Sequence, residues 1–403
     1  MLLMNSYQEK WDQKMNEPLP LRPTYLEVNL AALRRNVEAI RAHVQPAKVL
    51  VMLKANAYGH GVDGVAPYIE PFVDQIGVAI LDEGIALRKM GIKKPILVAG
   101  GTLPELVGHY LRYDLTLTVS SYEVLQAAEN AAALAGKKLR VHIKIDTGME
   151  RSGIRWYEAS PFLEKTLECR NLDIEGIYTH FANSETLEDG LAERKTNYSY
   201  ASQQLSRFEE ALAFYPSRGL PYPRLRHTAN SAAILNLPNS YYDMVRPGVM
   251  FYGVYPDDDI LRPIKIEPAL TWRSKLVYSK RTRAGNPVSY GSLWAPASDV
   301  NIGTIPCGYA DGYFRRMSGL PKVIVNGKIM QQVGRICMDQ CMVNMENADE
   351  PAGSEVILMG RDAKTGVVVS PEDLANWAGT NPYEVMTNIS ARVPRHFVVD
   401  ENR

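Results

Sequence analysis

Residues 49–61 read VLVMLKANAYGHG, an apolar run that stops abruptly at a lysine. Residues 49–53 are all apolar and partly β-branched, which predicts a short buried strand. After Lys54 the chain is expected to turn toward a helix, so the lysine stands at the carboxyl end of the strand, where α/β folds place their chemistry. A partly desolvated lysine has a lowered pKa and can act as a nucleophile or a Schiff-base partner. Position alone is a weak signal, because most lysines at such a place are solvated or paired bystanders.

Strand-like apolar runs recur along the first two thirds of the chain, and each is followed by a polar break and a helical stretch. After residues 49–53 they are IGVAI (76–80), ILVA (96–99), LTLTV (115–119), VHIKI (141–145), IEGIYT (174–179), RLRHT (224–228) and MVRPGV (244–249). Eight strand–helix units favour a parallel sheet, and eight strands close a barrel. The alternative, an open doubly wound sheet, normally carries GxGxxG after its first strand, and no such motif opens this chain. We predict an α/β fold with an N-terminal (β/α)8 TIM barrel at residues 30–262.

The last third of the chain has a different pattern. From about Pro263, short alternating strands are separated by Gly and Asn turns, which predicts a mostly β-strand C-terminal domain at residues 263–403. Asn-Gly at 326–327 predicts a tight hairpin, and one helix is expected near residues 371–378. Residues 24–29 alternate like an edge strand, so residues 1–29 are expected to pack with this second domain.

Composition bounds the class of protein. The 403 residues are 46% hydrophobic, enough to fill two cores, and 45 basic residues balance 45 acidic ones. No charge field attracts nucleic acid or an acidic membrane, and the amino terminus resembles neither a signal peptide nor a membrane anchor, so a cytoplasmic protein is expected. The cysteines are too scattered for a disulfide scaffold and lack a nearby histidine that would complete a zinc site. We interpret all four as reduced core thiols: Cys169, Cys307, Cys337 and Cys341.

Nine separate motifs, spread from about Tyr25 to Arg395, resemble those of bacterial alanine racemases and follow one another in the family's order. They are KANAYGHG (54–61), KIDTGMERSG (144–153), THFANSE (179–185), HTANSAA (227–233), MVRPGVMFYG (244–253), VSYG (288–291), GYADGY (308–313), GRICMDQ (334–340) and RVPR (392–395). The resemblance implies an isomerase that carries pyridoxal 5'-phosphate (PLP) on Lys54 and converts L-alanine to D-alanine, a peptidoglycan precursor. It also implies a small amino-acid substrate and no metal.

Inverting the α-carbon of an amino acid requires removal of a proton from one face and return of a proton to the other. The resemblance implies that Lys54 serves one face and Tyr290 the other. A free tyrosine has a pKa near ~10, so positive neighbours must lower it. The family offers His180 for this task, hydrogen-bonded to the tyrosine and to the arginine matched by Arg246. Without the family motifs, Tyr290 would be an ordinary strand aromatic and Arg246 a rim salt bridge.

The resemblance assigns further residues to the cofactor and the substrate. Arg246 would contact the pyridine nitrogen of PLP, and since arginine keeps its proton, the ring stays a weaker electron sink. Arg151 and the backbone of Met338 would bind the substrate carboxylate. Lys144 matches a lysine that many members carry as a carbamate, which holds that arginine in place. In the family, Tyr290 and Met338 come from the partner subunit, so a homodimer with shared active sites is implied.

The remaining matches concern the phosphate and the substrate channel. The phosphate ligands implied by the resemblance are Tyr58, Ser231 and the backbone amides of Gly248 and Val249. Ser231 alone would suggest helix capping instead. The channel residues are Asn183, Tyr309, Asp339 and Ala391. Ala391 stands where the family usually has a tyrosine, and Asn183 stands where a smaller residue is common, so we expect a relaxed pocket that also accepts serine or longer amino acids.

Three alternatives stay open at the level of sequence. The first is a broad-specificity amino-acid racemase for which alanine is a minor substrate. The second is a PLP-dependent amino-acid decarboxylase on the same type of barrel, which needs no base on each face of the α-carbon; the VSYG and MVRPG matches argue against it. The third is a non-catalytic PLP carrier, a class that usually lacks the β domain.

Overall fold

The structure is a computed structural model that describes residues 18–185, 200–257 and 260–400. The chain forms two compact units. Within the described residues, the barrel unit falls in Arg34–Ala55 and Ala66–Ile266, and the strand unit falls in Met1–Leu33, Asn56–Val65 and Glu267–Arg403. A domain boundary between residues 262 and 263 stays a prediction.

All strand pairs among the described residues of the barrel unit are parallel. The first strand of the chain, β1 (Tyr25–Asn29), belongs to the strand unit. The described residues of the barrel unit form β2 (Lys48–Met52), β3 (Gln75–Val78), β4 (Ile96–Val98), β5 (Thr116–Val119), β6 (Leu139–Asp146), β7 (Ile154–Arg155), β8 (Leu172–Tyr178), β9 (Leu225–His227) and β10 (Met244–Val245). Eight of these pair in parallel in the order β10-β2-β3-β4-β5-β6-β8-β9, and β7 pairs with β6 off this path. Every residue of β3, β4 and β5 is buried, as expected for strands covered on both faces.

Two backbone hydrogen bonds join the two ends of this path. The amide of Asp243 donates to the carbonyl of Arg226 (3.0 Å), and the amide of Arg246 donates to the carbonyl of Ala229 (2.9 Å), which brings β9 beside β10. The eight strands therefore form a nearly closed barrel. The predicted (β/α)8 barrel is confirmed, and the open doubly wound sheet is excluded.

Helices separate the barrel strands. The α-helices of the described residues are α1 (Leu30–Val44), α2 (Lys54–Tyr58), α3 (Val62–Ile69), α4 (Leu81–Lys89), α5 (Val107–Arg112), α6 (Tyr122–Ala135), α7 (Ala159–Glu168), α8 (Tyr200–Leu212), α9 (Phe214–Ser217), α10 (Ser231–Asn236), α11 (Pro371–Ala378) and α12 (Pro382–Thr387). Local sequence sets their limits, as in α6, where the hydroxyl of Ser121 accepts the amide of Val124 and Gly136 ends the helix with φ +58°. Over the described ranges, no helix has both the length and the apolar character needed to cross a membrane.

The strand unit is built around one large sheet. Its further strands are β11 (Leu270–Lys275), β12 (Tyr278–Thr282), β13 (Val300–Ile305), β14 (Lys322–Val325), β15 (Lys328–Val333), β16 (Cys341–Glu346), β17 (Glu355–Arg361), β18 (Val368–Val369) and β19 (Arg395–Val398). The order is β12-β13-β16-β15-β14-β17-β11-β1-β19, with β18 paired to β17. β1 is antiparallel to β11 and parallel to β19. Asn326 and Gly327, with φ +44° and +79°, form the predicted hairpin between β14 and β15, and α11 is the predicted helix.

The cysteines are not all core residues. All four are free, but only Cys307 and Cys341 are buried, whereas Cys169 and Cys337 are half-buried. The prediction of four core thiols is therefore wrong for two of them. Cys169 follows the C-terminal end of α7 and Cys337 lies in a loop, where the sequence pattern carries little information about burial.

Candidate active site

The backbone adopts a left-handed helical conformation immediately after Lys54. In α2 the residues 55–58 have φ between +50° and +56°, so this single turn is left-handed although none of its residues is glycine. Such a conformation costs roughly 1–2 kcal/mol per residue. The amide of Ala55 donates to Glu83 (2.7 Å), and the other oxygen of that carboxylate accepts the amide of Ala79 (2.8 Å) after β3. Glu83 thus ties the strained turn to the end of a neighbouring barrel strand.

Lys54 is half-buried at the carboxyl end of β2. Burial lowers the pKa of its amine, the nearby guanidinium of Arg151 lowers it further, and the Glu83 carboxylate offsets part of the shift. A larger fraction of the amine is therefore neutral and nucleophilic than for a solvated lysine.

Arg246 lies fully buried just after β10, and the barrel holds its guanidinium by several bonds. Nη2 donates to the carbonyls of Thr179 (2.8 Å) and Thr228 (3.0 Å), and Nη1 donates to Nδ1 of His227 (2.7 Å). Nη2 also lies 3.4 Å from Nδ1 of His180. Burial lowers the pKa of Arg246 to about 10, so it stays protonated at neutral pH.

His180 lies among the positive groups of this site. Its pKa falls well below the ordinary value, first because the ring is buried and then because four cations face it. These are Arg246, Arg151, Lys144 and Lys54. The structure therefore brings five of the residues predicted from sequence into one cluster inside the barrel unit. The imidazole at its centre is neutral, so His180 is not the positive neighbour that was expected to lower the pKa of Tyr290.

Lys144 and Arg151 lie on the segment that runs from β6 into the following loop. The amine of Lys144 donates to the hydroxyl of Ser152 (2.7 Å), and burial, Arg151 and Arg246 lower its pKa to about 8. Asp146 folds this loop: one carboxylate oxygen accepts the amides of Gly148 (2.9 Å) and Glu150, and the other accepts the amide of Arg151 (3.2 Å). The loop that carries Arg151 is thereby fixed at its start.

Ser231 does not cap its helix. The N-cap of α10 is Asn230, whose side chain accepts the amide of Ala233 (2.9 Å), so the capping interpretation of Ser231 is wrong. The Ser231 hydroxyl instead accepts the amide of Gly248 (2.9 Å) and lies 3.5 Å from the amide of Met250. Between these two amides lies Val249, which is buried and begins a short 3-10 helix. A hydroxyl and adjacent backbone amides form the donor set that phosphate groups prefer.

Two predicted residues of the strand unit, Tyr290 and Met338, lie outside its β-strands with largely exposed side chains. Tyr290 is 71% exposed and Met338 is 53% exposed. Ser289, with φ +68°, donates its hydroxyl to the carbonyl of Arg335 (2.7 Å) and so fixes the backbone before Tyr290. Tyr290 and Met338 thus expose two large side chains on the same unit, and such side chains are suited to contact with another protein surface.

Loop contacts bring the predicted channel residues of the strand unit together. The amide of Tyr309 donates to the carbonyl of Cys337 (3.0 Å), next to Met338. Asp339 accepts Nη2 of Arg392 (2.7 Å), which follows the exposed Ala391. Elsewhere, the buried Tyr58 lies with its ring centroid 6.2 Å from that of Tyr383. Asn183, in the barrel unit, is half-buried after β8.

Two polar residues inside the barrel unit were not singled out from sequence. His142 is fully buried on β6, two residues before Lys144, and Glu175 lies on β8. The alternation in residues 141–145 places His142 and Lys144 on one face of the strand, which is a signal that was available. Glu175 carries no such signal.

Comparison with known proteins agrees with this architecture. The family model described as alanine racemase, N-terminal domain, matches residues 28–256, and the model described as alanine racemase, C-terminal domain, matches residues 269–397. The alanine racemase of Carboxydothermus hydrogenoformans is 40% identical over 381 residues, which are 94% of this chain and 100% of that protein.

Solved structures give the same result. The alanine racemase of Clostridium difficile 630 superposes with a TM-score of 0.86 at 35% identity, covering 95% of this chain and 97% of that one. A histidine racemase from Leuconostoc mesenteroides superposes with a TM-score of 0.83 at 28% identity, covering 95% of this chain and 100% of that one. Fold and site thus define a barrel enzyme of the amino-acid racemase class. The chain belongs to the alanine racemase family.

Proposed function

We propose that this protein interconverts L- and D-alanine with the help of PLP. The observation that carries the proposal is the cluster of Lys54, His180 and the buried Arg246 at the carboxyl ends of the barrel strands, in a chain of this family. The test is to incubate purified protein with PLP and either enantiomer of alanine and to follow optical rotation. Rotation that decays to zero from both sides supports the proposal. Rotation that stays constant in both samples would refute it.

The donor set of the barrel unit fits PLP. Ser231 with the amides of Gly248 and Val249 would hold the phosphate, and Arg246 would donate to the pyridine nitrogen. Tyr58, which belongs to the strand unit, stays a predicted phosphate ligand. Because Arg246 stays protonated, it does not protonate that nitrogen. The amine of Lys54 would hold the cofactor covalently. When bound, PLP supplies electron withdrawal that makes the α-proton of an attached amino acid acidic.

Two residues of this chain would carry the protons. Lys54 would remove or return the α-proton on one face, and Tyr290 would do the same on the other. Tyr290 would come from a second copy of the chain, as the family resemblance implies, and its 71% exposed ring is accessible to such a copy. Arg151 would orient the substrate carboxylate together with the backbone amide of Met338 from that second copy, whose Tyr309 and Asp339 would line the substrate channel. A homodimer with shared active sites and a cytoplasmic location both stay predictions.

Lys144 is expected to react with CO2, releasing a proton and forming a negative carbamate that would bind Arg151. Its pKa of about 8 leaves about half of the amine neutral at pH 8, whereas a lysine of ordinary pKa, ~10.4, is almost entirely protonated there. With ¹³C-bicarbonate, we expect a carbamate NMR signal that is strong at pH 8 and weakens as the pH falls below 7. Lys144→Ala should lack the signal and raise KM for alanine by ~10-fold, because Arg151 loses a charged partner. The exposed Lys138, changed to Ala, is the control. A signal that survives in Lys144→Ala would contradict the assignment.

A broader substrate range is the second candidate function. Ala391 stands where the family usually has a tyrosine, Asn183 is the other departure, and one superposable relative is a histidine racemase. We expect the protein to racemise serine and lysine as well as alanine. Ala391→Tyr should lower kcat/KM for the larger substrates by ~10–100-fold relative to alanine, since a filled pocket rejects extra methylenes by such factors. Ala391→Ser, a small-for-small exchange, should keep the wild-type profile. Strict alanine preference in all three proteins would end this proposal.

A further inference from the structure

A chain of hydrogen bonds runs from Arg246 across the interior of the barrel unit to a carboxylate. Nη1 of Arg246 bonds Nδ1 of His227 (2.7 Å), Nε2 of His227 bonds Nδ1 of His142 (2.8 Å), and Nε2 of His142 bonds Glu175 (3.2 Å). Both imidazoles are fully buried, and the Glu175 side chain is 13% exposed. The chain thus spans three barrel strands and the residue that follows β10.

The chemistry of the two ends fixes the direction of every proton in this chain. A guanidinium can only donate, so Nδ1 of His227 must accept. A neutral His227 then carries its proton on Nε2 and donates to His142, which in turn carries its proton on Nε2 and donates to the carboxylate. Burial lowers the pKa of both rings, and the bond from His142 lowers the pKa of Glu175, so neutral rings and an ionised carboxylate agree with this assignment.

The backbone is irregular at the point where Glu175 enters the chain. β6 and β8 pair Val141 with Ile174 and then His142 with Gly176, so Glu175 is an extra residue in β8 without a partner on β6. Such a bulge redirects a side chain, and bulges are rare in parallel pairs. The position of the His142 ring also requires glycine at residue 176, because a Cβ there would lie 2.8 Å from Nδ1 and Cε1 of His142.

The charges at the two ends of this hydrogen-bond chain indicate how it could stabilise Arg246. The acceptors around the buried guanidinium given above are carbonyl oxygens and imidazole nitrogens, all of them neutral. Glu175 supplies a negative charge at the far end of two polarisable rings, and hydrogen bonds in such a series strengthen one another. Its second oxygen faces Arg224 at 3.7 Å, which leaves the first for His142.

We infer that Glu175 and His142 are positioning residues that act through His227 to hold the Arg246 guanidinium in the orientation in which it meets the cofactor ring. The inference rests on the proposed function for the role of Arg246, and it extends the site by two residues outside the family motifs quoted above.

The test compares two replacements of the same carboxylate. Glu175→Gln keeps an acceptor for His142 but removes the charge, and Glu175→Leu removes both. In cofactor-free protein, ¹⁵N NMR of the imidazoles should show altered shifts at His227 in both variants. In PLP-loaded protein, we expect a changed visible absorption spectrum and a kcat lower by about 10-fold with little change in KM, the scale of one charged hydrogen bond. If the carboxylate served only as a hydrogen-bond acceptor for His142, Glu175→Gln would have the same NMR shifts, absorption spectrum and kcat as the wild-type protein.

Asp173→Asn is the matched control. Asp173 lies on the same strand and pairs with Arg224 (2.8 Å), which also faces the second oxygen of Glu175, so its loss removes one charge from this strand while the bond between His142 and Glu175 remains. It should leave all three measurements unchanged. Gly176→Ala is a second route to the same defect, since the added methyl displaces His142 while Glu175 stays intact. Wild-type values in Glu175→Gln, or equal effects in Asp173→Asn, would overturn the inference. Failure of the wild-type protein to racemise alanine would instead refute the proposed function. The NMR measurement would still show whether Glu175 acts on His227 through His142.

Discussion

Lys54→Ala is expected to lose racemase activity by a factor of ~10³ or more, because one residue both anchors the cofactor and carries a proton on one face. Its amine is half-buried and beside Arg151, so no solvated lysine substitutes for it. The measurement is kcat for both enantiomers of alanine, together with the visible absorption of the purified protein. We expect that the variant, after gel filtration, lacks the absorption band of covalently held PLP.

The same strand offers the control for this change. Lys48 is exposed at the opposite end of β2, and Lys48→Ala should keep both the band and the activity. Full activity in Lys54→Ala would contradict the proposed chemistry. Loss of activity in both variants would point to a damaged strand instead.

Tyr290→Phe should also lower racemisation by ~10³-fold in both directions, since inversion needs a proton carrier on each face. The variant should keep one partial reaction. Lys54 remains, so the α-proton of one enantiomer should still exchange with deuterium from D2O, without inversion. This exchange, followed by NMR, distinguishes a missing base from a damaged site. Tyr278→Phe is the matched control, because Tyr278 is a 58% exposed ring of the same unit. Undiminished racemisation by Tyr290→Phe would end the two-base proposal.

Mixing the two inactive variants tests whether the site is shared between subunits. If Lys54 of one copy works with Tyr290 of the other, a mixed dimer has one site with both residues intact. After dissociation and re-association, about a quarter of wild-type activity should return, because about half of the dimers are mixed and one of their two sites is complete. No recovery, with mixed dimers present, would place both residues in one copy.

The barrel could be predicted because strands covered on both faces appear as continuous apolar runs. β4 lies wholly inside such a run, whereas β3 starts at Gln75 and β5 contains Thr116 and Thr118, polar residues that are nevertheless buried. The limits were less well predicted. The run at 244–249 yields only Met244–Val245 as strand, because Pro247 has no amide proton to donate and Val249 already begins a 3-10 helix.

The site could be predicted where a residue follows an apolar run, as for Lys54, His180 and Arg246. It could not be predicted where the geometry depends on two strands at once. The bulge at Glu175 is a property of the register between β6 and β8, and neither strand's sequence specifies it alone. Likewise, residues 55–58 contain no glycine, so the sequence gives no warning of a left-handed turn.

The left-handed turn at residues 55–58 limits which substitutions this protein can accept during evolution. Ala55 and Asn56 are exposed, and exposed positions ordinarily tolerate almost any substitution. Here a branched side chain would crowd the mirror-image backbone, and proline would forbid it. We therefore expect few tolerated replacements at both positions. The reason would be the left-handed backbone conformation and not a role in the reaction.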